Sequence, residues 1–80
     1  MDRNEVFEIV KRNILDVLPD LSPDMIRGEQ RLADLGANSV DRMEIITLCM
    51  ADLGLDIPLL SFAGAPRIAD LADVLAGNAQ

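Results

Sequence analysis

The sequence predicts an all-α fold, a four-helix bundle with a long first loop and a short third helix. Apolar residues recur at spacings of three and four in three separate stretches, as they do along one face of a helix. Half of the 80 residues are hydrophobic but only Phe7 and Phe62 are aromatic, an aliphatic composition that suits packed helices better than a sheet. The length and the absence of repeats predict one domain over residues 1–80.

The first helix is predicted from about Asn4 to Leu18. Asn4 is the expected N-cap, with Glu5 and Glu8 near the positive end of the helix dipole. Pro19 ends the helix, because proline cannot continue the hydrogen-bond ladder. The side chains predicted to face the core are Val6, Phe7, Val10, Ile14, Val17 and Leu18.

The first loop, from Pro19 to Asn38, has no periodicity and contains Pro23, Gly28 and Gly36. A loop of this length in a compact domain tends to be functional. A short helical turn is possible after Ser22-Pro23-Asp24, since serine caps and proline is tolerated in a first turn. The residues expected to anchor the loop to the core are Leu21, Met25, Ile26, Leu32 and Leu35.

The second helix is predicted from Ser39 to Leu53, with Gly54 at its C-terminal end. Its core face is formed by Ile45, Ile46, Cys49, Met50 and Leu53. Further apolar or uncharged residues lie outside that face, namely Val40, Met43, Thr47 and Ala51. Apolar groups outside the core face are typical of a docking surface.

The last quarter of the chain predicts a short segment and a final helix. Ile57-Pro58 opens the segment, which runs through Phe62 to Gly64 and has room for only one or two turns. The final helix begins at about Arg67 and is predicted to end at Ala76-Gly77. Its inward residues are Ile68, Leu71, Val74 and Leu75.

Composition excludes several classes of function. Seven basic and fourteen acidic residues give a net charge of -7, which disfavours binding to nucleic acid and favours basic patches on partner proteins. We expect neither a membrane span nor a signal peptide. The single Cys49 cannot form an internal disulfide, so the cytoplasm is the predicted location.

The residues that could carry chemistry are few. Without histidine the usual general base near neutral pH is missing, which disfavours an enzyme. A calcium loop starting at Asp34 would place Gly36 at its third position and Ile45 at its twelfth, and neither fits, so no metal site is predicted. Cys49 lies on the core face of the second helix and is predicted to be a buried structural residue.

Ser39 is the remaining candidate, and the residues alone leave two interpretations open. Either Asn38 or Ser39 caps the second helix and has no further role, or Ser39 is the target of a modifying enzyme. A phosphate on a serine at a helix N-terminus would meet unpaired backbone N–H groups and the positive end of the dipole. No histidine or lysine nearby could make Ser39 a hydrolytic nucleophile.

The segment Leu35-Gly36-Ala37-Asn38-Ser39-Val40, followed by Asp41, Glu44 and Ile45, resembles the signature of the acyl carrier protein family. That signature reads Leu-Gly-x-Asp-Ser-Leu. The length, acidity and helix pattern of the chain are similar to the family over nearly the whole sequence. The resemblance implies that Ser39 carries a 4'-phosphopantetheine arm, transferred from coenzyme A by a separate phosphopantetheinyl transferase with magnesium. The thiol of the arm would hold an acyl group as a thioester, and the chain would catalyse nothing itself.

The sequence departs from the common pattern of the family at two places, and these departures indicate a specialised subgroup of carriers. Asn38 replaces the usual Asp before the serine, and Met50 and Ala51 stand where fatty-acid carriers usually present acidic residues. The segment from Asp34 to Ile45 is similar to the freestanding donor carriers of polyketide β-branching cassettes. Acceptor carriers of those pathways usually have a Trp six residues after the serine, where this chain has Ile45.

The donor resemblance implies a set of partners. They are a malonyl acyltransferase, a decarboxylating ketosynthase-like enzyme that leaves an acetyl group, and a synthase like hydroxymethylglutaryl-CoA (HMG-CoA) synthase that accepts it. The residues expected to dock to partners are Asn38, Val40, Asp41, Arg42, Met43, Glu44 and Thr47. The alternatives are a carrier of fatty-acid or another secondary metabolism, and a non-covalent helical adaptor in which Ser39 stays unmodified. A monomer is expected.

Overall fold

The computed structural model describes residues 2–79, and the all-α fold is confirmed. Within those residues three α-helices are joined by segments that contain short 3-10 turns. The helices are α1 (Arg3–Val17), α2 (Ser39–Leu53) and α3 (Ile68–Asn78). The 3-10 turns span Pro23–Met25, Leu32–Leu35 and Leu59–Phe62.

The turn at Leu59–Phe62 occupies the position of the predicted short third helix. It is a 3-10 turn and not an α-helix. Starting an α-helix fixes several residues for a single hydrogen bond, and a segment bounded by Pro58 and Gly64 is too short to recover that cost. The predicted short third helix is therefore present at the expected place, as a single 3-10 turn.

The start of α1 corrects the expected N-cap from Asn4 to Asp2. Asp2 Oδ1 accepts a hydrogen bond from the backbone N–H of Glu5 at 2.8 Å, and Glu5 Oε1 accepts one from the backbone N–H of Asp2 at 3.3 Å. This reciprocal capping box needs an acceptor side chain three residues after the cap. Three residues after Asn4 stands Phe7, which cannot return the bond.

Helix α1 lies at the centre of the core. It packs against both α2 and α3, whereas α2 and α3 make little direct contact with each other over the described residues. The largest fully buried side chains are Val6, Val10, Ile14, Ile45, Cys49, Ile68 and Leu75. Phe7, Val17 and Val74, which were predicted to face inward, are only half-buried. The weak contact between α2 and α3 leaves a wedge that Phe62 fills only in part.

The first loop is anchored by Ile26 and Leu32, which are buried, and by the half-buried Leu21 and Leu35. The expectation for Met25 was wrong, since half of its surface is exposed. Its sulfur accepts a hydrogen bond from the backbone N–H of Ser22 at 3.4 Å, which holds the side chain over the 3-10 turn and away from the core.

The same loop is tied to the start of α3 by backbone hydrogen bonds. Ile68 N–H donates to Gln30 O at 2.8 Å, and Ala69 N–H donates to Gly28 O at 2.9 Å. A Cβ at residue 28 would lie 3.1 Å from the Ala69 Cβ, so glycine permits this close approach. The loop that leads to Ser39 is therefore fixed at its middle.

Helix α3 continues to Asn78, one residue past the predicted end at Ala76-Gly77. The Asn78 side-chain amide donates a hydrogen bond to Val74 O at 2.8 Å and so satisfies a carbonyl of the last turn. Over residues 2–79, none of the helices combines the length and the apolar character that crossing a membrane requires.

Candidate functional site

The approach to Ser39 is set by a turn that needs glycine. Gly36 has a φ of 94°, in the left-handed region that side chains disfavour, and its N–H donates to Ala33 O at 3.1 Å. The next residue, Ala37, is buried and donates its N–H to Leu32 O at 3.2 Å. The chain therefore enters α2 from a fixed position.

Asn38 is the N-cap of α2. Asn38 Oδ1 accepts a hydrogen bond from Asp41 N–H at 2.8 Å, and Asp41 Oδ2 accepts one from Asn38 N–H at 3.1 Å. Of the two candidate caps, Asn38 is the one used, and Ser39 is the first residue of the helix. Asparagine and aspartate cap about equally well, so the departure from the family's Asp removes a charge but keeps the turn.

The Ser39 hydroxyl is exposed and takes no part in capping. Its one side-chain hydrogen bond among the described residues is with Arg42, whose Nη2 lies 3.4 Å from Ser39 Oγ. In the described structure the backbone N–H groups of Ser39 and Val40 have no hydrogen-bond acceptor. An anion attached to Ser39 would thus meet free donors and the positive end of the α2 dipole.

A cleft of about 530 Å³ opens beside Ser39 in the wedge between α2 and α3. Its lining is mainly apolar, with contributions from α2, the turn at Leu59–Phe62 and the start of α3. The apolar lining residues include Met43, Ile46, Leu59, Phe62, Pro66 and Leu71, and two arginines, Arg31 and Arg42, also line the cleft.

These residues fit a phosphopantetheine arm. The exposed Ser39 hydroxyl would offer an attachment point, the Arg42 guanidinium lies at that oxygen, and the cleft lies beside it as an apolar surface. Among residues 2–79, the side chain that hydrogen-bonds Ser39 Oγ is that of Arg42, which stays protonated and cannot act as a general base.

Six of the seven predicted docking residues are exposed, and Asp41 is half-buried. Val40 and Met43 expose 72% and 52% of their surface, so this end of α2 has apolar groups at the protein surface. Asn38 and Asp41 bond to each other, and therefore their first role is to hold the cap.

Sequence reasoning missed two exposed apolar residues near the cleft, Leu59 at 44% exposed and Leu60 at 83%. Leu59 lines the cleft itself, and Leu60 is its neighbour in the same 3-10 turn. The signal was available, because a segment this short between Pro58 and Gly64 cannot turn Leu59, Leu60 and Phe62 all toward the core.

At the other end of α2, Cys49 is buried as predicted. Burial is the main cause that raises the pKa of its thiol to about 11, so the thiol stays protonated and unreactive near neutral pH.

A buried Asn13, which the sequence did not single out, adjoins Cys49. Its Nδ2 donates to Asp52 Oδ2 at 2.9 Å and to Ile9 O at 3.1 Å, with Cys49 Sγ at 3.5 Å. Hydrogen bonds from Asn13 and then from Arg12 lower the pKa of Asp52. Its place one turn after Val10 on the core face of α1 was the available signal.

Comparison with known proteins places this geometry in a family. A family model described as the phosphopantetheine attachment site matches residues 8–75. The polyketide biosynthesis acyl-carrier-protein AcpK of Bacillus subtilis (strain 168) is 44% identical over 80 residues, which cover 100% of this chain and 98% of that protein. A carrier in the crystal structure of the curacin biosynthetic pathway HMG synthase in complex with acetyl donor-ACP matches with a TM-score of 0.89 and 37% identity, over 98% of this chain and 100% of that one. The chain therefore belongs to the phosphopantetheine-binding acyl carrier proteins and is a non-catalytic carrier.

Proposed function

We propose that Ser39 is the attachment point of the phosphopantetheine arm, and that the carrier donates an acetyl group to an HMG-CoA-synthase-like enzyme in polyketide β-branching. The main observation that supports this proposal is that Asn38 caps α2, which leaves the Ser39 hydroxyl exposed at the cleft. The similarity to AcpK supports a polyketide pathway, and the similarity to the acetyl donor supports the synthase as partner.

Different residues of the chain would have different roles in the carrier. The bound arm supplies a terminal thiol on which an acyl group is held as a thioester. Asn38 and Asp41 keep the first turn of α2 intact, so that Ser39 is presented in one orientation. Arg42 lies at the Ser39 oxygen, and the apolar cleft lies beside it. Tethering raises the effective concentration of the acyl group at the partner's active site.

The exposed apolar end of α2 is the proposed docking face, with Val40, Arg42, Met43 and Thr47 as its central residues. Because Val40 and Met43 are exposed, we expect the partner surface to be less charged than the basic patches that bind acidic carriers. The same face would serve the transferase, the malonyl acyltransferase and the ketosynthase-like enzyme in turn. Residues 1–80 as a single domain, a monomer and a cytoplasmic location stay predictions.

Attachment is tested by incubating the unmodified chain with coenzyme A, magnesium and a broad-specificity phosphopantetheinyl transferase, and then measuring the intact mass. We expect the mass of one arm to be added to the wild type and to Ser61→Ala, a control that removes another exposed serine hydroxyl near the cleft. Ser39→Ala should gain nothing. An arm on Ser39→Ala, or no arm on the wild type with several transferases, would reject Ser39 as the site.

Donation is tested with the acetyl-loaded carrier and an HMG-CoA-synthase-like enzyme from a β-branching pathway. We expect Met43→Glu to lower turnover at least tenfold, because it places a charge in an apolar docking face. The matched control is Met25→Glu, since Met25 is exposed to nearly the same extent, 50% against 52%, but lies in the first loop. Equal turnover for the two variants would place the docking face elsewhere.

A further inference from the structure

We propose that Arg42 positions the phosphopantetheine arm by binding its phosphate in the free carrier. This inference rests on the proposed attachment at Ser39. The observation behind it is that Arg42 Nη2 lies 3.4 Å from Ser39 Oγ, the atom that esterification turns into a phosphate oxygen.

Arg42 is available for this role because it has no acidic partner. Across residues 2–79, the cations with a carboxylate within 4.0 Å are Arg3, Lys11 and Arg12, and they pair with Asp73, Glu8 and Asp52. The nearest acid in sequence to Arg42 is Asp41, whose carboxylate accepts the backbone N–H of Asn38. A chain with a net charge of -7 thus keeps an unpaired guanidinium at the serine.

The chemistry of the modification increases the attraction. Esterification replaces the hydroxyl proton with phosphorus and places two non-bridging oxygens, which share one negative charge, two bonds from Oγ. A guanidinium that already contacts Oγ at 3.4 Å reaches those oxygens without a change of helix geometry. Charge-assisted bonds between arginine and phosphate are shorter and about twice as strong as neutral ones, and the planar fork can make two of them.

The position of Arg42 on α2 determines where the arm would run from Ser39. Ser39 and Arg42 are three residues apart, so they lie on one face of α2 a single turn from each other. Arg42 also lines the cleft together with Met43 and Ile46. A phosphate held by Arg42 therefore starts the arm along the cleft, toward the Leu59–Phe62 turn, instead of into open solvent.

The test uses the isolated loaded carrier, and the synthase is added only in a final comparison. Wild type, Arg42→Lys, Arg42→Gln and Arg31→Gln are loaded, and intact mass is scored first. Absence of the arm on the wild type would reject the proposed function itself and the present inference with it. Arg31→Gln is the matched control, because Arg31 lines the same cleft and the charge change is identical.

The readouts are the phosphorus-31 chemical shift of the arm and the nitrogen-15 signals of the Arg42 guanidinium. We expect the guanidinium signals to shift on loading. We expect the phosphorus shift to move in Arg42→Gln, to return part of the way in Arg42→Lys, and to stay at the wild-type value in Arg31→Gln. Added salt should move the wild-type phosphorus signal toward that of Arg42→Gln.

Three results would overturn the inference. They are a phosphorus shift unchanged in Arg42→Gln, an equal change in Arg31→Gln, and a guanidinium that responds only when the synthase is added. The last result would make Arg42 a partner contact alone. If Arg42→Gln resists loading, Arg42→Lys and the salt dependence of the wild type decide, because neither depends on that variant.

Discussion

The two ends of α2 differ in the burial of their apolar side chains and in the hydrogen bonds of their polar ones. At the C-terminal end Cys49 is buried, and Asp52 accepts hydrogen bonds from Arg12 and Asn13 of α1. At the N-terminal end Val40 and Met43 are exposed, and the side chain that Arg42 hydrogen-bonds, among the described residues, is that of Ser39.

This difference indicates that the C-terminal end of α2 stabilises the fold and that the N-terminal end is the candidate functional region. The C-terminal end joins α2 to α1, so substitutions there act on folding. The N-terminal end has backbone donors, a cation and apolar surface exposed, so we expect substitutions there to act on loading and transfer.

The largest effect expected is the loss of a core side chain from the buried face of α2. Ile45→Ala should lower the free energy of unfolding by about 2–5 kcal/mol, because Ile45 is fully buried and its removal leaves a cavity. Val40→Ala, the control from the exposed face, should change it by less than about 0.5 kcal/mol. Urea denaturation measures both. Similar losses would mean that the two faces of α2 do not differ in packing.

The next effect concerns the hydrogen bonds of Asn13. Asn13→Ala should cost about 1–3 kcal/mol of unfolding free energy, since Asp52 and the backbone around Ile9 lose a buried donor. Asn78→Ala also removes a side-chain amide that bonds a backbone carbonyl, but in an exposed place, and should cost less. Loading of Ser39 should be the same in both. A loading defect in Asn13→Ala would show that the two ends of α2 are coupled.

The cap of α2 tests the N-terminal end directly. Asn38→Ala should cost about 1 kcal/mol, because it leaves the Asp41 N–H without its acceptor. Asn38→Asp should keep the stability and restore the negative charge that the family usually has before the serine, and we expect a generic transferase to load it faster. Denaturation and intact-mass time courses measure the two. A slower rate for Asn38→Asp would show that this carrier's transferase selects against the charge.

The acid side of the stability profile tests Asp52. Hydrogen bonds from Asn13 and Arg12 lower its pKa in the folded state, so its contribution is present above the unfolded-state pKa and is lost as pH falls through the folded one. Asp52→Asn should therefore flatten the loss of stability below about pH 4. Asp56→Asn, which removes an exposed carboxylate just after α2, is the control. An identical acid profile in the two variants would exclude this role for Asp52.

Much of the fold could be predicted from the sequence, because apolar periodicity and the positions of Pro and Gly determine helices and their ends from neighbouring residues alone. The bounds of α2 from Ser39 to Leu53 with Gly54 at its end were predicted correctly. The N-cap of α1 was not, since Asn4 is as good a cap as Asp2 until the reciprocal bond from Glu5 is considered. Met25 was misplaced because a periodic pattern is absent from the loop that contains it.

The candidate site was predictable only in part. The motif identified Ser39, but which of two neighbouring residues caps the helix depends on a side-chain rotamer that sequence does not specify. The cleft and the exposure of Leu59 arise from the weak contact between α2 and α3, which involves residues far apart in the chain. The Asn13–Asp52 bond is likewise a long-range contact between helices.

The smallest effect is expected at Leu60, in the 3-10 turn beside the cleft. Leu60→Ser should change the free energy of unfolding by less than about 0.5 kcal/mol, because 83% of this side chain is exposed already. Phe62→Ala in the same turn should cost about 3–5 kcal/mol, since Phe62 is buried. If Leu60→Ser is as costly as Phe62→Ala, the turn packs on the core throughout and is not part of the open region. If Leu60→Ser is neutral for folding but lowers acetyl transfer to the synthase, this leucine belongs with Val40 and Met43 to the surface that partners contact.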